Sequence, residues 1–166
     1  MLDVATEKAI RSAIEAGDAR TALEHIGSDP ERLHAMTMFG TWLHVAAAEG
    51  QLDIVKALLD RGLDINAYGG ISGGGALHYA ASYGRSEIAK YLIERGANLD
   101  VSEPVRNPLF GAIYRGHTVV AKLLIESGID TSVKYTGENM QNMDALAFAR
   151  EWGRSDIAAL LQAKAE

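Results

Sequence analysis

The chain contains no cysteine. Both a disulfide framework and thiolate chemistry are therefore excluded, and a reducing interior, most simply the cytoplasm, is the expected compartment. No apolar run approaches the ~20 residues that a membrane-spanning helix needs. The opening segment, "MLDVATEKAIRSAIEAG", lacks the basic start, apolar middle and small-residue cleavage site of a signal peptide. Positive charge is in deficit as well. The formal charge of −6 argues against a sequence-independent nucleic-acid binder, because displacing counterions needs a basic face. It suits a basic partner instead. What remains is an ordinary folded composition, 48% hydrophobic and 23% charged over 166 residues, enough for one compact domain or a short repeat array.

Glycine, by contrast, is locally abundant. Five of the seven residues from Gly69 to Gly75 are glycine, in "NAYGGISGGGALHYAASYG". A glycine-rich turn running into a helix is a common phosphate cradle, but the motif tests fail here. A Walker loop needs G-x-x-x-x-G-K-[ST], whereas Gly74 is followed by Gly75 and Ala76, with no lysine or hydroxyl in place. A dinucleotide fingerprint needs a preceding strand in a βαβ unit, and the neighbours here are helical hairpins. The N–H groups that open the Ala76 helix offer an anion no more than any helix start does.

Self-similarity explains the stretch better. "TWLHVAAAEGQLDIVKALLDRGLDIN" from Thr41 aligns with "GALHYAASYGRSEIAKYLIERGANLD" from Gly75, apolar position on apolar position. Further copies start at Asn107, "NPLFGAIYRGHTVVAKLLIESGIDTS", and at Asp144, "DALAFAREWGRSDIAALLQAKAE". The glycine between the two apolar segments recurs at Gly50, Gly84, Gly116 and Gly153, with spacings of 34, 32 and 37. Gly17, in "AIRSAIEAGDARTALEHI", marks a worn first copy.

Each copy reads as a helical hairpin. Thr41, Gly75, Asn107 and Asp144 share one position, and all four are favoured N-caps. Pro108 follows where a first helical turn tolerates proline. The small pairs Ala46/Ala47 and Ala80/Ala81 let first helices approach closely. Ile54, Val55, Leu58 and Leu59 make an amphipathic stripe on the second helix, repeated by Ile88, Leu92 and Ile93, and by Val120, Leu124 and Ile125. Each such side chain contributes ~1.5–3 kcal/mol on burial, and only stacking against the next copy buries it. Gly62, Gly96 and Gly128 are expected to close these helices in the left-handed conformation.

These residues resemble the ankyrin repeat, whose pattern is T-P-L-H-x-A-A-x-x-G-H followed by an I-V-x-x-L-L-x-x-G-A helix. The resemblance covers nearly the whole chain. It implies an all-α solenoid of about five helix-turn-helix repeats joined by finger loops. Residues 1–40 would be a degenerate N-terminal cap and connector, 41–74, 75–106 and 107–143 regular repeats, and 144–166 a C-terminal cap. His25 replaces a core leucine in the first copy, and Gln162 stands where the others carry Leu59, Ile93 and Ile125. Polar outer faces are what capping repeats need, so a stand-alone single domain is expected. "SDPERLHAMTMFG" (28–40) breaks at Pro30 and reads as a loop with one helical turn.

No catalytic or metal constellation emerges. His44 and His78 fall at the histidine of T-P-L-H, which in ankyrin repeats resembles a backbone-bonding strut, and His117 matches the following G-H. His25 and His34 lie in the irregular N-terminal part, without HExxH or clustered Asp/His spacing. Ser72 in "ISGGG" is not a nucleophile elbow. Neither an enzyme nor a cofactor or metal protein is expected.

A partner-binding surface is expected where such solenoids present their first helices and finger loops, on the concave side. The exposed first-helix positions carry Tyr83, Tyr114, Arg115 and Trp152, and one residue past the histidine position stand Tyr79 and Phe148. Tyr, Trp and Arg supply most binding hot spots, at ~2 kcal/mol or more each. For Tyr79 and Phe148, packing between helices is an equal alternative. The finger at 68–75 offers Tyr68 and Ile71 as its only large side chains, and its glycines predict mobility unless something holds it. A partner protein is the expected clamp. The longest finger, "SVKYTGENMQNMD" (132–144), exceeds the 33-residue consensus by four and reads as an insertion without secondary structure. Lys134, Tyr135, Glu138 and Asn139 are its candidate contacts, unless the insertion packs on itself.

Two classes of function follow. A small, acidic, cysteine-free ankyrin protein resembles the stand-alone bacterial ankyrin proteins found beside secreted toxins, where they act as immunity proteins. This implies a monomeric inhibitor of another protein, such as a toxin or an enzyme with a basic surface. The other class is an adaptor or scaffold in a cellular assembly, without inhibitory role.

Overall fold

A computed structural model describes residues 2–165. The chain forms α1 (Val4–Glu15), α2 (Ala19–Ile26), a single turn α3 (Pro30–Leu33), α4 (Trp42–Glu49), α5 (Leu52–Asp60), α6 (Ala76–Ser82), α7 (Ser86–Glu94), α8 (Pro108–Arg115) and α9 (Thr118–Glu126). A hairpin of β1 (Tyr135–Gly137) and β2 (Met140–Met143) follows, and then α10 (Ala145–Glu151) and α11 (Ser155–Ala165). The first helices α1, α4, α6, α8 and α10 pack side by side in one layer, and α2, α5, α7, α9 and α11 form the second.

The repeat logic of the sequence explains the joints. Asn107 and Asp144 accept their cap bonds through their side chains, from Leu109 N and Ala147 N at 2.9 Å. At Thr41 the role usually played by a glutamate falls to His44, whose Nδ1 accepts the Thr41 N–H at 3.1 Å. That fixes the tautomer, so Nε2 donates to the Gly74 carbonyl of the next repeat at 3.1 Å. His44 is buried, and burial lowers its basicity, which keeps the strut neutral. His78 works in the opposite tautomer, Nδ1 facing the Asn107 carbonyl at 3.4 Å and Nε2 facing the Ser82 hydroxyl at 3.3 Å. The residue after three of the central glycines, Gly84, Gly116 and Gly153, reaches back to cap the preceding repeat. Arg85 Nε donates to Ala48 O at 2.8 Å, His117 Nε2 to Ser82 O at 3.1 Å, and Arg154 Nε to Ile113 O at 3.0 Å. The orphan carbonyls that end α4, α6 and α8 are thereby satisfied across repeats.

Trp42 replaces the proline of T-P-L-H, is fully buried, and donates its indole N–H to Arg32 O at 2.6 Å. This ties the 28–40 connector, with its one helical turn, to the stack. His25 and Gln162, the polar replacements in the first and last copies, are both exposed.

Two expectations need correction. The 132–144 finger is not devoid of secondary structure, because β1 and β2 pair antiparallel with a bulge between Tyr135 and Gly137. A small strand pair therefore sits in an otherwise helical solenoid. The finger at 68–75 is also held without a partner. Gly69 N bonds Gly74 O and Gly73 N bonds Gly70 O, both at 3.1 Å. Tyr79, rising from α6, donates its hydroxyl to Gly69 O at 3.1 Å and accepts the Ser72 N–H at 3.2 Å. Gly70 is required by this clamp. Its φ is +72°, and a Cβ there would collide with the Tyr79 hydroxyl and the Phe39 carbonyl oxygen.

Candidate functional site

Between the fingers and the first-helix layer runs an open apolar groove of about 510 Å³. Its helix wall is Tyr83 at the C-terminus of α6, Tyr114 and Arg115 on α8, and Trp152 at the C-terminus of α10. Its finger wall is Ile71, Val105 and Met140, and its floor includes Tyr79, Phe110 and Phe148. Gly111 on α8 deepens the floor, since a Cβ there would strike the Ser82 hydroxyl and press on the His78 ring. The aromatic side chains brace one another. Phe110 and Phe148 stack with centroids 4.5 Å apart, and Tyr114 meets Trp152 edge-on at 4.6 Å. Such pairs contribute ~0.5–1.5 kcal/mol beyond area burial. The Arg115 guanidinium lies over the Tyr83 ring at 5.6 Å. It is the one charged side chain among the residues that line this groove.

The wall residues stay in solvent despite their size. Tyr83, Tyr114 and Trp152 are 47%, 48% and 44% exposed, and Ile71 is 82% exposed. Exposed apolar patches of this kind are where interaction sites are commonly built.

The structure gathers eight of the twelve candidate residues into the groove: Ile71, Tyr79, Tyr83, Tyr114, Arg115, Asn139, Phe148 and Trp152. Phe148 is buried and Tyr79 half-buried, so both the packing and the groove-facing descriptions hold for them. Tyr68 is half-exposed but lies outside the groove, under the Arg106 guanidinium at 4.9 Å. Lys134 and Glu138 are exposed and also line no part of it. Tyr135 is a correction. It is buried at 8% exposure, packs edge-on against Phe110 at 4.9 Å, donates its hydroxyl to Val101 O at 2.6 Å and accepts from Asn107 Nδ2 at 3.1 Å. Burial pushes its phenol up from the ordinary value. It is an internal pin of the hairpin, out of a partner's reach.

Val105 and Met140 escaped the sequence reading, although a signal existed. Met38, Ile71, Val105 and Met140 follow one another at 33, 34 and 35 residues, the repeat period itself. Each is the apolar tip of one finger, and Met38 at 69% exposure extends the row beyond the groove.

The groove continues toward the N-terminus past Ile71, Tyr79 and Tyr83 into a smaller one of about 220 Å³. There Arg11, Glu15 and Glu49 supply charge. Among the described residues no three His, Asp or Glu side chains gather to hold a metal ion, and no helix is long and apolar enough to cross a membrane.

Comparison with known proteins agrees with this architecture. A family model for ankyrin repeats, in three copies, matches residues 10–103, more than half of the chain. No curated protein matches the sequence. The chain belongs to the ankyrin-repeat family, and the hairpins α8–α9 and α10–α11 continue the same stack beyond the matched stretch. Ankyrin repeats indicate a protein–protein interaction module.

Proposed function

We propose that the chain is a dedicated binder that inhibits one partner protein, in the manner of an immunity protein neutralising a toxin, as a cytoplasmic monomer without catalytic activity. The observation that carries the binding reading is the convergence of Tyr83, Tyr114 and Trp152, all about half-exposed, on one apolar groove. Aromatics held rigid against one another lose little entropy when a partner covers them, which is what hot spots require. The net charge of −6 favours encounter with a basic enzyme.

The test is mixing with a candidate partner, beginning with any toxin encoded next to the chain's own gene. A stable complex that blocks the partner's activity supports the inhibitor; a complex that leaves activity intact makes the chain an adaptor. Neither complex nor protection sinks the reading for that partner. Replacing Tyr83, Tyr114 and Trp152 with alanine should weaken binding at least a hundredfold, at ~2 kcal/mol or more per hot spot. The fold should persist with a stability loss of only about 1–3 kcal/mol, because the Tyr114–Trp152 contact goes but the three side chains are already half in water.

A further inference from the structure

One position of the repeat carries a charge code. The residue that follows the first-helix tail by register is Glu49 in α4, Tyr83 after α6, Arg115 in α8 and Trp152 after α10. Along the concave face the order is thus acid, aromatic, cation, aromatic. Both charges are exposed. Among the described residues no cation pairs with Glu49 and no carboxylate with Arg115, whereas Arg11 and Glu15 beside Glu49 pair with each other at 3.8 Å. Arg115 instead rests on the Tyr83 ring, a placement that orients the guanidinium while leaving its fork open to a carboxylate. Neighbouring helices pack ~8–10 Å apart, so Glu49 and Arg115, two repeats apart, lie too far from each other to be mutual partners.

We propose that the groove takes a polypeptide segment of matching polarity: a basic residue over Glu49, an apolar residue between Ile71 and Tyr83, an acidic residue on Arg115, and an aromatic or large aliphatic anchor against Trp152, Phe148 and Met140. The inference rests on the concave groove being the partner site. The apolar steps supply affinity by burying Ile71, Tyr83 and Trp152. The charges set direction, because the reversed segment would place like charges together at both ends.

The test uses a displayed library of random linear peptides of about twelve residues, which reach ~40 Å when extended, selected on the full chain. The winners are then synthesised and titrated by fluorescence anisotropy against the wild type, Glu49→Lys, Arg115→Glu and Trp152→Ala. All three substitutions are at exposed positions, and circular dichroism confirms folding. Selected peptides should carry one basic and one acidic residue on either side of an apolar one. Each charge reversal should weaken them about tenfold, and reversing the peptide's acidic residue should restore binding to Arg115→Glu. Peptides that lose binding on Trp152→Ala but change less than twofold on both charge reversals would overturn the polarity while leaving the groove as the partner site. No enrichment, or winners indifferent to Trp152→Ala, would overturn both.

Discussion

The glycine finger and the hairpin finger flank the same groove and present comparable apolar tips, Ile71 and Met140, yet they are held by different means. The hairpin carries its own ladder and plants Tyr135 in the core, where one hydroxyl serves both Asn107 and Val101. The glycine finger leaves both of its large side chains, Tyr68 and Ile71, exposed to solvent and borrows its anchor. The Tyr79 hydroxyl reaches up from α6, and His44 holds the Gly74 carbonyl at its foot. A loop poor in side chains can thus be ordered from below, and two of the tyrosines read as partner contacts are structural pins.

Substitutions should separate the two modes. The largest effect is expected for Tyr135→Ala, which removes a buried ring against Phe110 and leaves Asn107 and Val101 without their shared partner. A loss of about 3–5 kcal/mol is expected in chemical denaturation. Hydrogen exchange should show the hairpin and α10 opening while the glycine finger keeps its protection. An undisturbed midpoint would show that the hairpin is not anchored through this ring.

Acid should do the reverse. Burial lowers His44 and His78 below their ordinary value of 6.5, so the unfolded chain binds protons before the native one does. The stability this confers is complete above pH 6.5 and is lost as pH falls from there toward the lowered native values, by at most about 1.4 kcal/mol per pH unit for each histidine. A melting series from pH 7.5 to about 5 should show that decline, with the amides of 69–75 losing protection before those of 135–143. A flat series would mean that neither histidine is held neutral.

Tyr79→Phe is the milder cut, expected to cost about 1 kcal/mol because the finger amides can turn to water. Its signature is local: faster exchange at Ser72, with the hairpin unchanged. Gly75→Ser should give a small gain of about 0.5 kcal/mol by thermal melting. Gly75 is extended at φ −83°, the nearest atom to an added Cβ is 3.8 Å away, and α6 lacks a side-chain cap. A loss there would show that the finger needs glycine at its base as well as at Gly70.

The stack itself was legible without coordinates. Apolar stripes at helical spacing, caps at one register and glycine at each hairpin bend all agree locally with the fold, and burial needs nothing beyond the next copy. Tyr83, Tyr114, Arg115 and Trp152 could be placed on the concave side for the same reason: register along a repeat is a one-dimensional property. The finger-tip row was written in the same period but lacked a second marker to make it visible.

Facing was a different matter. Lys134 and Tyr135 are neighbours with equal claims to the surface, and only the strand's pairing sends one outward and the other into the core. "YTGENMQNM" is too short and polar to announce a hairpin, since its pairing rests on a bulge and on Phe110 and Asn107 from another repeat. The glycine run likewise describes a chain free to move, and a hydroxyl from the helix beneath settles it. Helical register is set by contacts a few residues apart and can be read from local spacing; the fingers are set by hydrogen bonds across repeats, which exist only once the solenoid has stacked.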